Sequence, residues 1–565
     1  MYIIGISPID KDVSVSLFRN NEPIYCISEE RLTRVKMQAG FPWKSFDEIF
    51  RINNLQPDQI SYIAYPFYNE WKELYLGIVN GCIVLFNILK NNKISLGDKL
   101  KSLYYLPKAL KDNFCCHRFC ERELAKGLKF WGIEKKLKRY NHTQAHAASA
   151  FYSSGFDEAI IQVSDWYGSG LSGGIFHGKG TEITPLVKYR WPNSMGSFYA
   201  RYTISLGFKP DRHEGKLMGL AAYGDPSVGI LDFLEEFILN EDGSFLQKNC
   251  LFHNTSKTIK ALDNKDIASA TQETFETILI SSLIQVKKYI PVTNICLAGG
   301  SMSNVKYNQK VSELENVKKI FVFPAMSDTG TGYGAACLAL KDSGRNPHHI
   351  LKNVYLSAQF SDAAIESAIK QSGLYYQNIS NIELLVAKLI EKNNLIAIFN
   401  GAMEFGPRAL GNRSILANPK NISNIELLNN KLFRNDFMPF APSTTIEIAK
   451  KYLPNFEVVE HSLKYMTCTI KMDSFWKRLI PATIHVDGTA RLHIVDKEVN
   501  LNFHNIIRTF YEMTGIPGVL NTSFNIHEEP IVYSPEDAIR TFICAELDYL
   551  IMNSFIVSKR TIEKL

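Results

Sequence analysis

The sequence predicts an α/β protein of two large domains, and three features carry that prediction. At 565 residues the chain is longer than one hydrophobic core ordinarily serves. Its first part twice runs an apolar strand into a glycine-rich loop and then a helix. One such junction is expected at residues 295–298 leading into Gly299, Gly300 and Ser301, the other at 320–323 leading into 327–334. A second α/β pattern starts at Val354, after a polar stretch from Lys341 to Lys352 that carries Gly344, Pro347, His348 and His349 and reads as a linker. Domains of residues 1–345 and 346–565 follow.

Taken in order, Tyr2 to Phe18 alternates as a strand does, turns at Arg19 to Glu22 and resumes from Pro23 to Ser28, so a β-hairpin opens the first sheet. Residues 70–130 read as a largely helical, peripheral insertion. Its apolar stretch from Leu74 to Leu89 is interrupted by Asn80, Gly81 and Asn87 and falls short of the roughly 20 residues that span a bilayer, so a buried or interfacial helix is expected, without stable membrane insertion. An apolar run at 159–163 has the character of a buried strand and ends in Asp165, Trp166, Tyr167, Gly168, Ser169 and Gly170. In the second domain a strand at 395–399 leads into a loop from Gly401 to Asn412, and a terminal strand and helix follow Gly518. No short-period repeat or low-complexity tract interrupts the pattern.

Composition narrows the function. Hydrophobic residues at 45% and charged residues at 21% are the usage of a protein with substantial cores. The net charge of +6, from 63 basic and 57 acidic residues, is spread too thinly for a nucleic-acid face, so no nucleic-acid partner is expected. The ten cysteines are scattered, and the opening MYIIGIS reads as a strand rather than a secretory signal, so the expected setting is cytoplasmic. Cys115, Cys116 and Cys120 around His117 lack the paired CxxC spacing of a zinc site.

Two histidines stand four apart, His142 and His146, in an alanine-rich segment that favours a helix, which sends both imidazoles from one face. Alone, such a pair also fits a solvated face. Asp165 closes a buried-type strand and Asp328 follows another, the places where an α/β fold presents ligands, although each could simply cap the next helix. Two neutral imidazoles and two hard carboxylates suit Fe(II), the preferred metal, with Mn(II) or Zn(II) as alternatives. The glycine junctions leave backbone N–H groups open to phosphates.

These residues lie in motifs that resemble the NodU/CmcH family of O-carbamoyltransferases. HTQAHAASAFYSSGF, SDWYGSG, EGKLMGLAAYGDP, LAGGSMSN and PAMSDTGTGYGAA are similar to its first domain. GAMEFGPRALGNRSILANP, PFAPS, HVDGTARLHIV and LNTSFNIHEEPIV are similar to its second, in the expected order over nearly the whole chain. The resemblance implies an N-terminal domain of the actin-like ATPase (ASKHA) superfold, related to threonylcarbamoyl-adenosine transferases, and a C-terminal YrdC-like domain. It implies that carbamoyl phosphate and ATP, the latter with Mg, form carbamoyladenylate in the second domain. A hydroxyl of a small-molecule or saccharide acceptor then takes the carbamoyl group in the first, and AMP leaves. The metal quartet would grip the adenylate phosphate, and Gly299, Gly300, Ser301 and Asn304 would receive adenosine and ribose, unless that turn holds no ligand. Arg408, Arg413, Arg434 and Arg491 are the phosphate candidates because a guanidinium fork matches phosphate geometry. Ser414, Asn521 and Ser523 would add neutral hydrogen bonds, and Glu404 would orient an arginine. A homodimer is compatible with the sequence. The alternatives are a threonylcarbamoyladenosine-type modification of tRNA, against which the dispersed charge argues, and a degenerate carbamoyl- or nucleotide-binding protein.

The chain departs from the family pattern in four places. Lys11-Asp12 stands where the family has His-Asp, and Lys36-Met37 where it has Lys-His, so Lys11, Asp12 or the substrate must assist the acceptor hydroxyl, with Asp12 and Lys36 as the candidate catalytic groups beside Arg408 and Arg491. Leu432 and Met438 replace two basic residues of the donor site, with Lys431 available one position away. Glu528 occupies a usual glycine position.

Overall fold

A computed structural model describes residues 1–251, 259, 261–434, 437 and 439–560. The chain divides into two compact units, one made of Met1–Ile24 and Met37–Leu351, the other of Tyr25–Lys36 and Lys352–Leu565.

The first unit is built on two five-stranded sheets with the same plan. One contains β1 (Tyr2–Ile6), β2 (Ser14–Arg19), β3 (Glu22–Ser28, of which Glu22–Ile24 belong to this unit), β4 (Ile60–Tyr65) and β5 (Leu137–Arg139) in the order β3-β2-β1-β4-β5. The other contains β6 (Glu158–Gly168), β7 (Leu171–Lys179) and β8 (Glu182–Arg190) and, beyond a small ribbon of β9 (Phe237–Leu239) and β10 (Phe245–Gln247), β11 (Asn294–Ala298) and β12 (Lys319–Val322) in the order β8-β7-β6-β11-β12. In each, the central strand pairs antiparallel with the strand that follows it and parallel with a later one, β1 with β4 and β6 with β11. This is an internal duplication of one sheet plan. It is invisible as a sequence repeat because the halves share topology and not residues.

The helices His142–Ser153 and Thr331–Asp342 come unusually close. A Cβ at Gly334 would collide with the Ala145 carbonyl, and one at Gly332 with the backbone at Ile6 and Ser7, so the second helix packs backbone to backbone on both the first helix and β1. That contact draws Asp328, three residues upstream of the helix, towards the histidines.

One element differs from the sequence expectation. Tyr2 to Phe18 is not one strand but two, β1 and β2, with residues 7–13 looped between them. The Ser14 N–H donates to Ser7 Oγ at 2.8 Å and the Ser7 N–H to the Ser14 carbonyl at 3.0 Å, closing a loop that carries Asp10, Lys11 and Asp12. The alternation continues on both sides of this loop and masks the break. In the insertion, helices Glu70–Lys90 and Leu96–Phe130 form an antiparallel hairpin through the short link 91–95.

The second unit holds an eight-stranded mixed sheet. Its central strands Tyr549–Met552, Ile396–Phe399, Arg413–Ala417 and Val519–Ser523 carry a core that includes Leu395, Ala397, Phe399, Ile415, Leu520 and Leu550. Residues 25–36 belong to this unit although they precede the rest of it by more than three hundred positions. The Cys26 N–H donates to the Leu356 carbonyl at 2.9 Å, Arg34 donates to the carbonyls of Pro530 and Ile531 at 2.7 Å each, and Arg34 pairs with Asp537 at 3.3 Å.

Candidate functional site

The helix bearing the histidines begins after Asn141, whose side chain accepts the Gln144 N–H at 3.1 Å. Both histidines are fully buried. Their Nε2 atoms face the same two carboxylate oxygens. His142 lies 3.1 Å from Asp165 Oδ2 and 3.3 Å from Asp328 Oδ1, and His146 lies 3.2 and 3.4 Å from the same atoms. A tetrahedron of about 2.0–2.1 Å metal bonds has edges of about 3.3 Å, so these separations suit one ion between the four groups. Asp328 Oδ1 is buried and makes no well-formed hydrogen bond, an acceptor that a cation would satisfy.

The surroundings hold each donor in place. Phe67 stacks on His142 at 4.6 Å and 13°. A Cβ at Gly168 would collide with the His142 ring, which explains the glycine in the 164–170 segment by packing. Gly300 N–H donates to Asp165 Oδ1 at 3.2 Å, leaving Oδ2 to the imidazoles. The His142 N–H donates to Ser169 Oγ at 3.2 Å, and the Ser169 hydroxyl donates to the buried Glu73 at 3.0 Å. Glu73 and Ser169 are supporting residues that sequence reasoning missed, because their partners lie far away in the chain.

Burial disfavours the imidazolium, but hydrogen bonds and charge from Asp165 and Asp328 outweigh it and push His142 up to about 10. The imidazoles in turn hold both carboxylates below the usual range, against burial and, for Asp328, the repulsion of Asp165. Without a metal, this raised value adds stability that is full below the ordinary 6.5 and lost as pH rises through about 10. A metal must displace the His142 proton. Its apparent affinity should therefore climb about tenfold per pH unit between about pH 7 and 9, as read by competition with a chelating dye. A flat profile would refute proton displacement.

Asp12 lies in the 7–13 loop in a left-handed conformation, φ 48°. Lys11 pairs with Asp211 at 2.9 Å, and despite burial its ammonium is raised by the charges of Asp328 and Asp211, so it stays a cation and cannot serve as a base. Asp10, not singled out in the sequence, is pushed up to about 6 by burial and then by the charge of Asp328. Its position beside the Lys11-Asp12 pair was the available signal. Met37 Sδ accepts from Arg212 Nε at 3.3 Å. Lys36 belongs to the second unit, where it pairs with Glu30 at 3.2 Å.

The turn after β11 is only partly as expected. Gly299 has φ 100°, and a Cβ there would collide with Ser164, so it must be glycine. Ser301 Oγ is buried without a partner, open to a ligand. Asn304 differs. Its Oδ1 accepts the Tyr307 N–H at 3.0 Å, and its amide exchanges hydrogen bonds with Gln272 at 2.9 and 3.0 Å, so it is a helix cap rather than a free ribose ligand.

In the second unit a cavity of about 230 Å³ is lined by Arg408, Arg434 and Arg491 with Asn521, Thr522 and Ser523. Arg408 Nε and Arg491 Nε and Nη1 are enclosed without partners. Burial brings Arg408 down to about 10, and burial followed by repulsion from Arg408 and Arg434 holds Arg491 well below its ordinary value. Arg434 donates to Thr522 Oγ1 at 3.2 Å. Leu432 takes its place in the cavity wall and the core.

Three expected ligands lie elsewhere. Arg413 is fully buried, stacks 3.8 Å over Phe399 and donates to the carbonyls of Asn400, Asn412 and Gly401, holding the 400–412 loop closed. Ser414 Oγ accepts the Gly411 N–H at 2.9 Å. Lys431 donates to the Glu546 carbonyl at 2.7 Å and does not line the cavity in place of Leu432. Glu404 accepts three backbone N–H groups, from Leu410, Asn412 and Arg413, and so shapes the loop rather than pairing with a guanidinium. Met438 lies outside the described residues. Glu528 keeps the left-handed conformation that a glycine would adopt freely, φ 66°.

Residues 2–337 match the family described as carbamoyltransferase N-terminus, and residues 387–559 that described as carbamoyltransferase C-terminus. An uncharacterised protein of Methanocaldococcus jannaschii is 31% identical, covering 99% of this chain and 99% of its own. Nodulation protein NolNO of Sinorhizobium fredii is 30% identical over 97% of this chain and 79% of its own. The 3'-hydroxymethylcephem-O-carbamoyltransferase of Streptomyces clavuligerus is 26% identical over 73% of this chain and 78% of its own.

Proposed function

This chain belongs to the carbamoyltransferase family and is an enzyme of that class, and we propose that it carbamoylates a hydroxyl by way of carbamoyladenylate. The observation that carries this reading is the second unit's cavity, which Arg408, Arg434 and Arg491 line together, Arg408 and Arg491 with enclosed guanidinium nitrogens that no hydrogen bond satisfies. Such a site is unfavourable when empty and favours a multiply charged anion. Carbamoyl phosphate and ATP, with Mg, are that anion pair. Carbamoyl phosphate gives up phosphate with consumption of one water, and the resulting carbamate oxygen displaces pyrophosphate from the α-phosphorus of ATP. Arg408, Arg434 and Arg491 orient the phosphates, while Asn521 and Ser523 offer neutral hydrogen bonds.

In the first unit the acceptor hydroxyl attacks the carbamoyl carbon, the bond to the adenylate oxygen breaks, and AMP leaves. A divalent ion held by His142, His146, Asp165 and Asp328, with Fe(II) preferred on donor chemistry, would supply a Lewis acid for the adenylate phosphate. Asp10 takes the hydroxyl proton, a role its value near 6 suits at neutral pH, and Lys11 remains a cation that steadies negative charge. Asp10→Asn should lower kcat for transfer about a hundredfold with little change in donor activation, as read by AMP release against pyrophosphate release. Equal transfer by the variant would remove Asp10 from the mechanism.

The test of the whole reading is pyrophosphate release by the purified, metal-loaded protein. Release that requires carbamoyl phosphate is expected, followed by AMP once a hydroxyl acceptor is supplied. Pyrophosphate release indifferent to carbamoyl phosphate would overturn the donor assignment.

A further inference from the structure

The helix Glu70–Lys90 presents two apolar faces, and the protein covers only one. Glu73, Gly77, Asn80, Gly81, Val84 and Ile88 are buried, and the far end is pinned by Val84, Ile88 and Ile94 packing with Leu246. On the opposite side Trp71, Tyr75, Ile78, Val79, Phe86 and Leu89 are exposed, Trp71 by 66% and Phe86 by 56%. With Ile83, also exposed, their spacing of three and four residues makes one unbroken stripe about 27 Å long. The partner helix adds Leu96, Leu100 and Tyr104, exposed by 73%, 58% and 74%.

The charge beside these side chains is mostly positive. Between Leu74 and Lys111 the chain carries Lys90, Lys93, Lys99, Lys101, Lys108 and Lys111 against one acid, Asp98, which Lys101 already faces at 3.8 Å. Long apolar and aromatic side chains flanked by lysines that outnumber the acids complement an anionic lipid surface. Rings of Trp, Tyr and Phe settle at headgroup depth, and lysine stems reach to the phosphates. The helix is long and apolar enough to cross a membrane by length and composition, but its buried Glu73 and Asn80 and its packing on the protein fit it to lie in the interface plane.

We propose that this helical hairpin seats the enzyme on an anionic membrane surface. The same helix supplies Glu73, whose carboxylate holds Ser169 against the backbone of His142, so the membrane-facing element is hydrogen-bonded into the wall of the metal site. Binding at the surface would present that site to acceptors at the lipid boundary.

The experiment is flotation of the full chain with vesicles of phosphatidylcholine alone and of phosphatidylcholine with phosphatidylglycerol. Binding is expected only to the anionic vesicles, weakening as salt is raised. Lys90→Gln with Lys93→Gln should weaken it about fivefold for each lysine. Phe86→Glu with Leu100→Glu, both exposed and therefore compatible with folding, should abolish it, with an unchanged melting temperature as the control. The proposal is overturned if the folded protein ignores anionic vesicles or if the double glutamate variant still binds them. It is also overturned if sedimentation shows a dimer that this variant dissolves, which would make the occupant a second copy of the chain.

Discussion

Replacing Asp328 with alanine is expected to slow carbamoyl transfer by about a thousandfold or more, the scale of losing a Lewis acid that stabilises a leaving phosphate. The substitution removes one of the two oxygens that both imidazoles face at 3.1–3.4 Å and leaves the turn intact, because the Thr331 hydroxyl bonds the Asp328 main-chain carbonyl and not the side chain. Metal content measured on the purified variant should fall with activity. Pyrophosphate release dependent on carbamoyl phosphate should persist, since that step belongs to the other unit. Transfer that survives with no bound metal would show that the quartet is a structural ion-pair cluster. Loss of both steps would point to misfolding, which a melting curve would register.

Arg491→Met is expected to have the converse effect. Losing one buried, charge-assisted contact to phosphate typically costs about 2–4 kcal/mol, so kcat/KM for carbamoyl phosphate-dependent pyrophosphate release should fall about thirtyfold to a thousandfold. The ligand-free variant should nevertheless melt at a higher temperature than the parent. Arg491 is enclosed beside Arg408 and Arg434 with its Nε and Nη1 unpaired, and removing it relieves both desolvation and repulsion. A lower melting temperature together with normal pyrophosphate release would mean that Arg491 is a structural residue. A substrate that raises the parent's melting temperature, but not the variant's, would show where the anion sits.

Residue type and spacing were enough to single out His142, His146, Asp165 and Asp328, which the structure brings together, because each stands at a place that local structure already marks: one helix face, one strand end, one post-strand turn. The cavity arginines divide differently. Arg408, Arg434 and Arg491 line it, whereas Arg413, in the same motif as Arg408, turns inward to three carbonyls of its own loop. A guanidinium has the same donors in either role, so the motif cannot say which role it takes. Asn304 is a similar case, since an amide that caps a helix and one that could bind ribose look alike in a sequence.

The order of apolar runs, glycine junctions and turn residues by itself determined the α/β class and the motifs that resemble the carbamoyltransferases, because these depend on neighbours along the chain. Only the tertiary structure decided that residues 25–36 join the second unit, that the first unit duplicates one sheet plan, and that Asp10 carries a carboxyl raised to about 6. It also decided that the apolar helix Glu70–Lys90 keeps one face uncovered. Each of these depends on which distant segment comes to lie alongside. Burial and nearby charge, which set a pKa or leave a face exposed, arise only from that meeting.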